Sequence, residues 1–150
     1  MKYTLEIQKR LLQVENGNLS PHEKALLLKE AIRIADENDD PQWAVEMRLD
    51  LIYELNLLSQ AEEEIAVFSR ILDDYENNKD LISENDILWK YKWICGAAFD
   101  VPEVSQSQID AILEDFKIRT LRNGYSARAY YHLLFLHYNR MRQYDLAKEY

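Results

Sequence analysis

Asp36, Asn38 and Asp40, within the stretch ADENDDP, reproduce the D-x-N-x-D spacing that opens a calcium-binding loop. That loop needs a glycine at its sixth position for a sharp turn and a bidentate glutamate at its twelfth. Those places hold Pro41 and Met47, so no calcium site is expected. His22-Glu23 opens like the H-E-x-x-H helix of a zinc hydrolase, but Leu26 stands where the second histidine belongs. His132 and His137 are five residues apart, about 500° around a helix, and do not converge on one ion. Neither a metal nor a cofactor is expected.

Nucleophilic and acid–base chemistry find no better footing. Cys95 sits in the apolar run WICGAAF, where a buried and inert thiol is the expectation. Asp73-Asp74 and Glu62-Glu63-Glu64 would need a cleft that shifts their acidity before they could move protons. On amphipathic helices such runs are solvated faces. Gly17, Gly96 and Gly124 stand alone and form no phosphate-cradling loop. No catalytic residue is expected, and the chain reads as a non-enzyme.

The composition explains why chemistry is sparse and helices are not. The 150 residues suit one domain, 47% apolar and 30% charged, with three glycines and three prolines. A β-sandwich needs turn residues about every 8–12 positions, so a chain this poor in breakers is all-α. The opening MKYTLEIQKR brings charge where a signal peptide places its apolar core, and no run approaches the roughly 20 apolar residues of a membrane span. With a single cysteine, Cys95, no internal disulfide can form, and a cytoplasmic protein is expected. The net charge is −9; this acidity argues against non-specific nucleic-acid binding. It is also uneven. Residues 41–80 hold three Lys/Arg against ten Asp/Glu, and residues 121–150 hold five against two. A basic end could therefore meet an acidic middle in a second copy or a partner.

Helix starts and stops are legible. Ser20-Pro21-His22-Glu23, Ser59-Gln60-Ala61-Glu62 and Ser105-Gln106-Ser107-Gln108 each read as a capping serine with an acidic or amide residue placed to reach back. Ser83-Glu84-Asn85-Asp86 is a weaker relative, and Gly17 and Gly124 follow helical runs as stops. Apolar stripes at three and four, such as Leu28, Ala31, Ile32, Ala35 and Ile65, Phe68, Ile71, Leu72, lie between them. They predict helices near 4–16, 21–37, 41–57, 60–77, 84–99, 106–123 and 126–142, with an eighth beginning at Tyr144. Most joints are two to six residues long, so successive helices should pack antiparallel.

Self-similarity favours a repeat array over a closed bundle. Phe68 follows Leu28 by 40 residues, each in the second helix of a hairpin. In YYHLLFLHYNRMRQYDLAKEY, Tyr131, Leu134, Tyr138, Tyr144 and Ala147 fall at offsets 0, 3, 7, 13 and 16. This unit resembles the tetratricopeptide repeat. It departs at Phe135, where that family prefers a small residue. Leu51, Ile52 and Leu55 followed by Ile65, Phe68, Ile71 and Leu72 resemble an earlier unit, with Arg48 and Glu64 in place of the family's aromatic and alanine. The segment 86–123 keeps a helix pair, but Trp89, Tyr91, Trp93 and Cys95 compete for its core positions.

The resemblance implies seven to eight helices stacked as antiparallel hairpins in a right-handed TPR-like α-solenoid. Another helix-hairpin solenoid would fit the same spacing. It also implies a concave groove, formed by first helices, that holds a peptide or partner helix. Register transfer assigns Glu46, Tyr53 and Asn56 to that groove in one unit, and His132, Leu136 and Asn139 in the last. Tyr53 and Leu136 would otherwise pack between helices. The family's clamp for a carboxylate-ended tail is not matched, because Leu49, Tyr53, His132 and Leu136 occupy its places. The expected partner is thus a protein or peptide, without nucleic acid or membrane. Since the final hairpin is incomplete at Tyr150, the chain reads as a fragment. Two alternatives follow: a regulatory module for a catalytic or DNA-binding region beyond Tyr150, or self-association through the C-terminal hairpin.

ADENDDP itself reads as a joint. Asn38-Asp39 release one helix, Asp40 caps the next and Pro41 takes its first position. Asp40→Ala is expected to lower unfolding stability by about 0.5–2 kcal/mol in urea titrations. A large calcium-induced rise in Tm that disappears in this variant would overturn the joint reading.

Overall fold

The structure, a computed structural model, describes residues 2–99, 101–125, 128, 130–132, 134–136 and 139. Among the described residues six helices are bounded: α1 (Lys2–Glu15), α2 (Pro21–Glu37), α3 (Pro41–Leu57), α4 (Ala61–Asn77), α5 (Glu84–Phe99) and α6 (Gln106–Arg122). The described residues from 128 to 139 are helical as well, and no strand occurs among the described residues. The architecture is all-helical, with helices packed on their sequence neighbours: α1 on α2, α2 on α3, α3 on α4, and α5 on α6. The chain divides into two compact units, residues 1–83 and 84–150. Tyr138, Tyr144 and Ala147, the expected eighth helix and the incomplete last hairpin lie outside the described residues.

Local chemistry sets these boundaries. Ser20 Oγ accepts the Glu23 N–H at 3.2 Å, and Asp40 Oδ1 accepts the Trp43 N–H at 3.2 Å, so α2 and α3 both begin with a side-chain cap and Pro at the first position. α6 carries a full capping box: Ser105 Oγ accepts from Gln108 N–H at 3.2 Å while Gln108 Oε1 accepts from Ser105 N–H at 2.8 Å.

Ser59 does not cap α4, contrary to the sequence expectation. Its φ is 57°, and the N-cap is Gln60, which makes no side-chain capping bond. The reason is the end of α3. Ser59 N–H donates to the Asn56 carbonyl at 3.1 Å and Gln60 N–H to the Leu55 carbonyl at 3.0 Å, the paired bonds of a Schellman stop. A stop of this kind requires a left-handed residue at position 59, whereas a capping serine is extended. The same closure recurs at Asp39 (φ 50°), with Asp40 N–H on the Ala35 carbonyl at 2.9 Å, and at Gly124 (φ 78°), with Tyr125 N–H on the Thr120 carbonyl at 3.1 Å.

In the first unit the core joins Ile7 of α1, Ala25, Leu28, Ala31, Ile32 and Ala35 of α2, and Ala44, Met47, Leu51 and Leu55 of α3. Four of these are alanines, whose small side chains let the helix backbones approach closely. Phe68, Ile71 and Tyr75 bury the inner face of α4. Charges are drawn inside as well. Arg48, 7% exposed, places Nη2 2.7 Å from Asp36 Oδ2 on α2 and Nη1 3.7 Å from Asp74 Oδ2 on α4. Its position, aromatic in the resembled family, thereby becomes an ionic tie across three helices. Glu64, in the family's alanine place, is 1% exposed and accepts a 3.2 Å hydrogen bond from Asn56 Nδ2.

In the second unit Ile87, Leu88, Tyr91, Ile94, Cys95 and Ala98 of α5 are buried, as are Ile109, Leu113 and Phe116 of α6. Tyr91 meets Phe116 edge-on, with ring centroids 5.5 Å apart. Glu84 at the start of α5 is held by Arg122 at the end of α6, at 2.7 and 2.8 Å, and lies 3.6 Å from Arg119 Nη1. That start-to-end pairing fixes α5 and α6 as an antiparallel hairpin.

Because a Cβ in the left-handed region costs about 1–2 kcal/mol, Ser59→Gly is expected to stabilise the protein by about 0.5–1 kcal/mol after the entropy of the freer unfolded chain is subtracted. Asp39→Gly should gain less, since aspartate tolerates this conformation better. Urea midpoints of the two variants test the order; a loss of stability in Ser59→Gly would refute the stop geometry.

Candidate functional site

In the second unit α5, α6 and the helical residues from 128 to 136 leave a groove of about 820 Å³ between them. Its first wall is a stripe of α5: Asn85, Leu88, Trp89 and Lys92, spaced three, four and seven residues apart as one helix face requires. The floor is Phe116 and Thr120 of α6, four residues apart, and Tyr125 closes one end just past the Gly124 stop. The opposite wall is Arg128, His132 and Leu136, each helical and spaced by four.

The polar groups at the near end are largely committed. Tyr125 donates its hydroxyl proton to Asn85 Oδ1 at 2.6 Å, and Thr120 Oγ1 donates back to the Phe116 carbonyl at 2.7 Å. The rim carries large apolar side chains and the Lys92 ammonium. Trp89 is 64% exposed and Leu136 37%. The Lys92 ammonium lies 5.2 Å from the Trp89 ring centroid, a cation–π contact that holds the indole and the charge together on the groove rim.

Sequence reasoning placed six residues on a binding face, and they fall in both units. His132 and Leu136 are brought together in the groove; Asn139 is exposed and helical but is not among the residues lining it. In the first unit Glu46, Tyr53 and Asn56 are all exposed on α3. Tyr53, for which packing between helices was the alternative, is 46% exposed. Glu46 accepts from the Gln42 side chain at 2.9 Å, and Asn56 is tied to the buried Glu64. These three line none of the clefts described for this chain. Tyr131, which opens the sequence match to the repeat, is 59% exposed and stacks edge-on with Tyr130 at 5.2 Å.

Trp89 and Lys92, the most prominent residues of the groove, were missed because four candidates at alternate positions, Trp89, Tyr91, Trp93 and Cys95, competed for the α5 core. The signal was present in the spacing. Ile87, Tyr91, Ile94 and Ala98 form one stripe with period near 3.6, and Trp89 falls off it. A tryptophan off the apolar stripe of its own helix is an exposed one.

The remaining chemical candidates are absorbed by the fold. Asp36 is taken up by Arg48, and Asp40 caps α3 while its Oδ2 accepts the Tyr3 hydroxyl proton at 3.0 Å. Asp36 therefore serves the buried arginine, and Asp40 joins α1 to the start of α3. Among the described residues, no group of three or more His, Cys, Asp or Glu side chains is arranged to hold a metal ion. No helix among them is long and apolar enough to cross a membrane. Comparison with family models, curated proteins and solved structures gives no match.

Cys95 is fully buried, and burial, reinforced by the Asp115 carboxylate, pushes its thiol up to about 12. Burial and the 2.7 Å hydrogen bond to Asp115 likewise raise the Tyr91 phenol. Both groups keep their protons in the folded state after the unfolded chain has begun to release them, so the folded state binds more protons above pH 9 and stability falls as pH rises. Between about pH 9 and 12 the thiol alone contributes a slope of up to about 1.4 kcal/mol per pH unit. Cys95→Ala is expected to make that decline shallower in urea titrations at stepped pH. Rapid labelling of the native thiol at pH 8 would contradict the burial.

Proposed function

We propose that this chain is a binding module without a reaction of its own, a right-handed TPR-like helical array that holds a peptide or partner helix. The observation that carries the reading is the groove between α5, α6 and the helical residues Arg128, His132 and Leu136. Its volume of about 820 Å³ falls at the upper end of what small-molecule sites occupy, about 300–1,000 Å³. Its open rim presents Trp89 and Leu136 to solvent, as a surface for a macromolecular partner does. Tryptophan and tyrosine supply large contact areas at little cost in side-chain entropy, which is why they recur at binding hot spots. Short joints that stack antiparallel hairpins leave such grooves between alternate helices.

Selection of 12-residue peptides on the full chain tests this reading. Selected peptides are expected to bind with affinities that fall about tenfold or more in Trp89→Ala, or about 1.4 kcal/mol. The exposed position of Trp89 means that the variant should fold as the parent does, checked by circular dichroism. Peptides whose affinity is indifferent to both Trp89→Ala and Leu136→Ala would remove the groove as the binding site.

A further inference from the structure

Asparagine is followed by glycine twice in the chain, at Asn16-Gly17 and Asn123-Gly124, and each pair stands just past the end of a helix. Such a pair is chemically reactive, because a glycine nitrogen has no Cβ beside it to obstruct attack on the asparagine side-chain carbonyl carbon. The two settings are alike at first sight. Both glycines take a positive φ, 70° and 78°, and both pairs are exposed. A Cβ built on either glycine would meet nothing within 4 Å. We infer that Asn16 is a site of spontaneous covalent modification, converting to aspartate and isoaspartate in the folded protein, while the fold protects Asn123 from the same reaction.

In this reaction the Gly17 nitrogen bonds to Asn16 Cγ, the Cγ–Nδ2 bond breaks, and ammonia leaves with the proton that Gly17 gave up. Solvent water then opens the five-membered imide at one of its two carbonyls, giving aspartate or isoaspartate. Ring closure requires the glycine nitrogen to turn about the asparagine Cα–C bond, one of the two soft backbone axes of the residue, until it lies beneath Cβ.

Hydrogen bonds across that axis decide which pair can turn. At Asn123 ψ is 11°, which puts the Gly124 nitrogen near the Asn123 nitrogen and away from Cβ. Gly124 N–H donates to the Leu121 carbonyl and Tyr125 N–H to the Thr120 carbonyl, both at 3.1 Å, and both bonds span the axis. The side chain is held too: Asn123 Nδ2 donates to the Arg119 carbonyl at 2.8 Å and to Glu84 Oε1. Closing the ring would break the two backbone bonds and pull the amide off both acceptors.

At Asn16 the bonds lie on either side of the axis. Asn16 N–H donates to the Leu12 carbonyl at 3.2 Å, before it. Asn18 N–H donates to the Asn16 carbonyl at 2.8 Å, and this three-residue turn centred on Gly17 lies wholly beyond it. Rotation carries the turn round as one piece and breaks neither bond. The same bond polarises the Gly17 amide and makes its proton easier to lose. The Asn16 side-chain amide is exposed and has no hydrogen-bond partner among the described residues. The product places a carboxylate at the carbonyl end of α1, where negative charge opposes the helix dipole.

The test holds the full 150-residue chain at pH 8, folded and in urea, and maps its peptides by mass spectrometry for the gain of about 1 Da that marks loss of the amide. In the folded chain Asn16 is expected to convert at least about tenfold faster than Asn123, since four hydrogen bonds restrain the second pair. In urea the two rates should agree within about twofold, because each asparagine precedes a glycine. Asn16→Gln, which would need a six-membered ring, should remove the folded-state signal and leave the circular dichroism spectrum unchanged. Conversion of Asn123 as fast as Asn16 in the folded chain overturns the inference, as does a folded chain in which neither converts while both do in urea. A difference that persists undiminished in urea overturns it as well, because the selectivity would then belong to flanking residues and not to the fold.

Discussion

A helix that ends on a left-handed residue can be followed by a new helix almost at once, and the architecture depends on that constraint. At Asp39, Ser59 and Gly124 the backbone takes a positive φ, and the next N–H closes onto the carbonyl five residues back. The chain reverses without a long loop, so the helix that follows has little choice but to lie antiparallel on the one just finished. Where the next helix can start, after Asp39 and Ser59, it does so two residues later at Pro41 and Ala61. Only glycine adopts this conformation without steric cost, and two of the three stops are made without it. The strain at Ser59 is held by the packing of α3 on α4, including Glu64, which is anchored by Asn56 across the same joint.

Within the hairpins, buried charges do what a purely apolar core could not, which is to specify which helix faces meet. Arg48 satisfies its charge with Asp36 and Asp74 only if α2, α3 and α4 lie in one rotational setting. Glu84, almost enclosed, meets Arg122 and Arg119 only if the first turn of α5 lies against the last turn of α6. A buried ion pair adds little net stability because desolvation offsets attraction, but a mispaired one is strongly unfavourable. Such groups therefore penalise slipped registers more than they strengthen the correct one. Leucine and alanine stripes, which pack in many ways, cannot do that alone.

The groove follows from the same division of faces. Once Ile87, Tyr91, Ile94 and Ala98 turn inward on α5, Trp89 and Lys92 are carried to the other side, beside the floor made by Phe116 and Thr120. Cys95 is buried beside that inward stripe.

The sequence by itself determined the all-helical class and the boundaries of six helices to within about two residues, because caps, stops and period-3.6 stripes are local and each acts over a single turn. It also determined the joint role of ADENDDP and the inert setting of Cys95. Tertiary structure decided the rest. It made Ser59 a stop rather than a cap, because the end of α3 claimed the residue before α4 could use it. It tied Asn56 to Glu64, since a carboxylate at a helix crossing must find a donor from the helix it touches. It set Tyr91 against Phe116 in the core and placed Trp89, already off the apolar stripe of α5, on the rim of a groove. Which of several apolar residues a helix hides depends on the neighbour it packs against, and that neighbour lies 20 or more residues away in the chain.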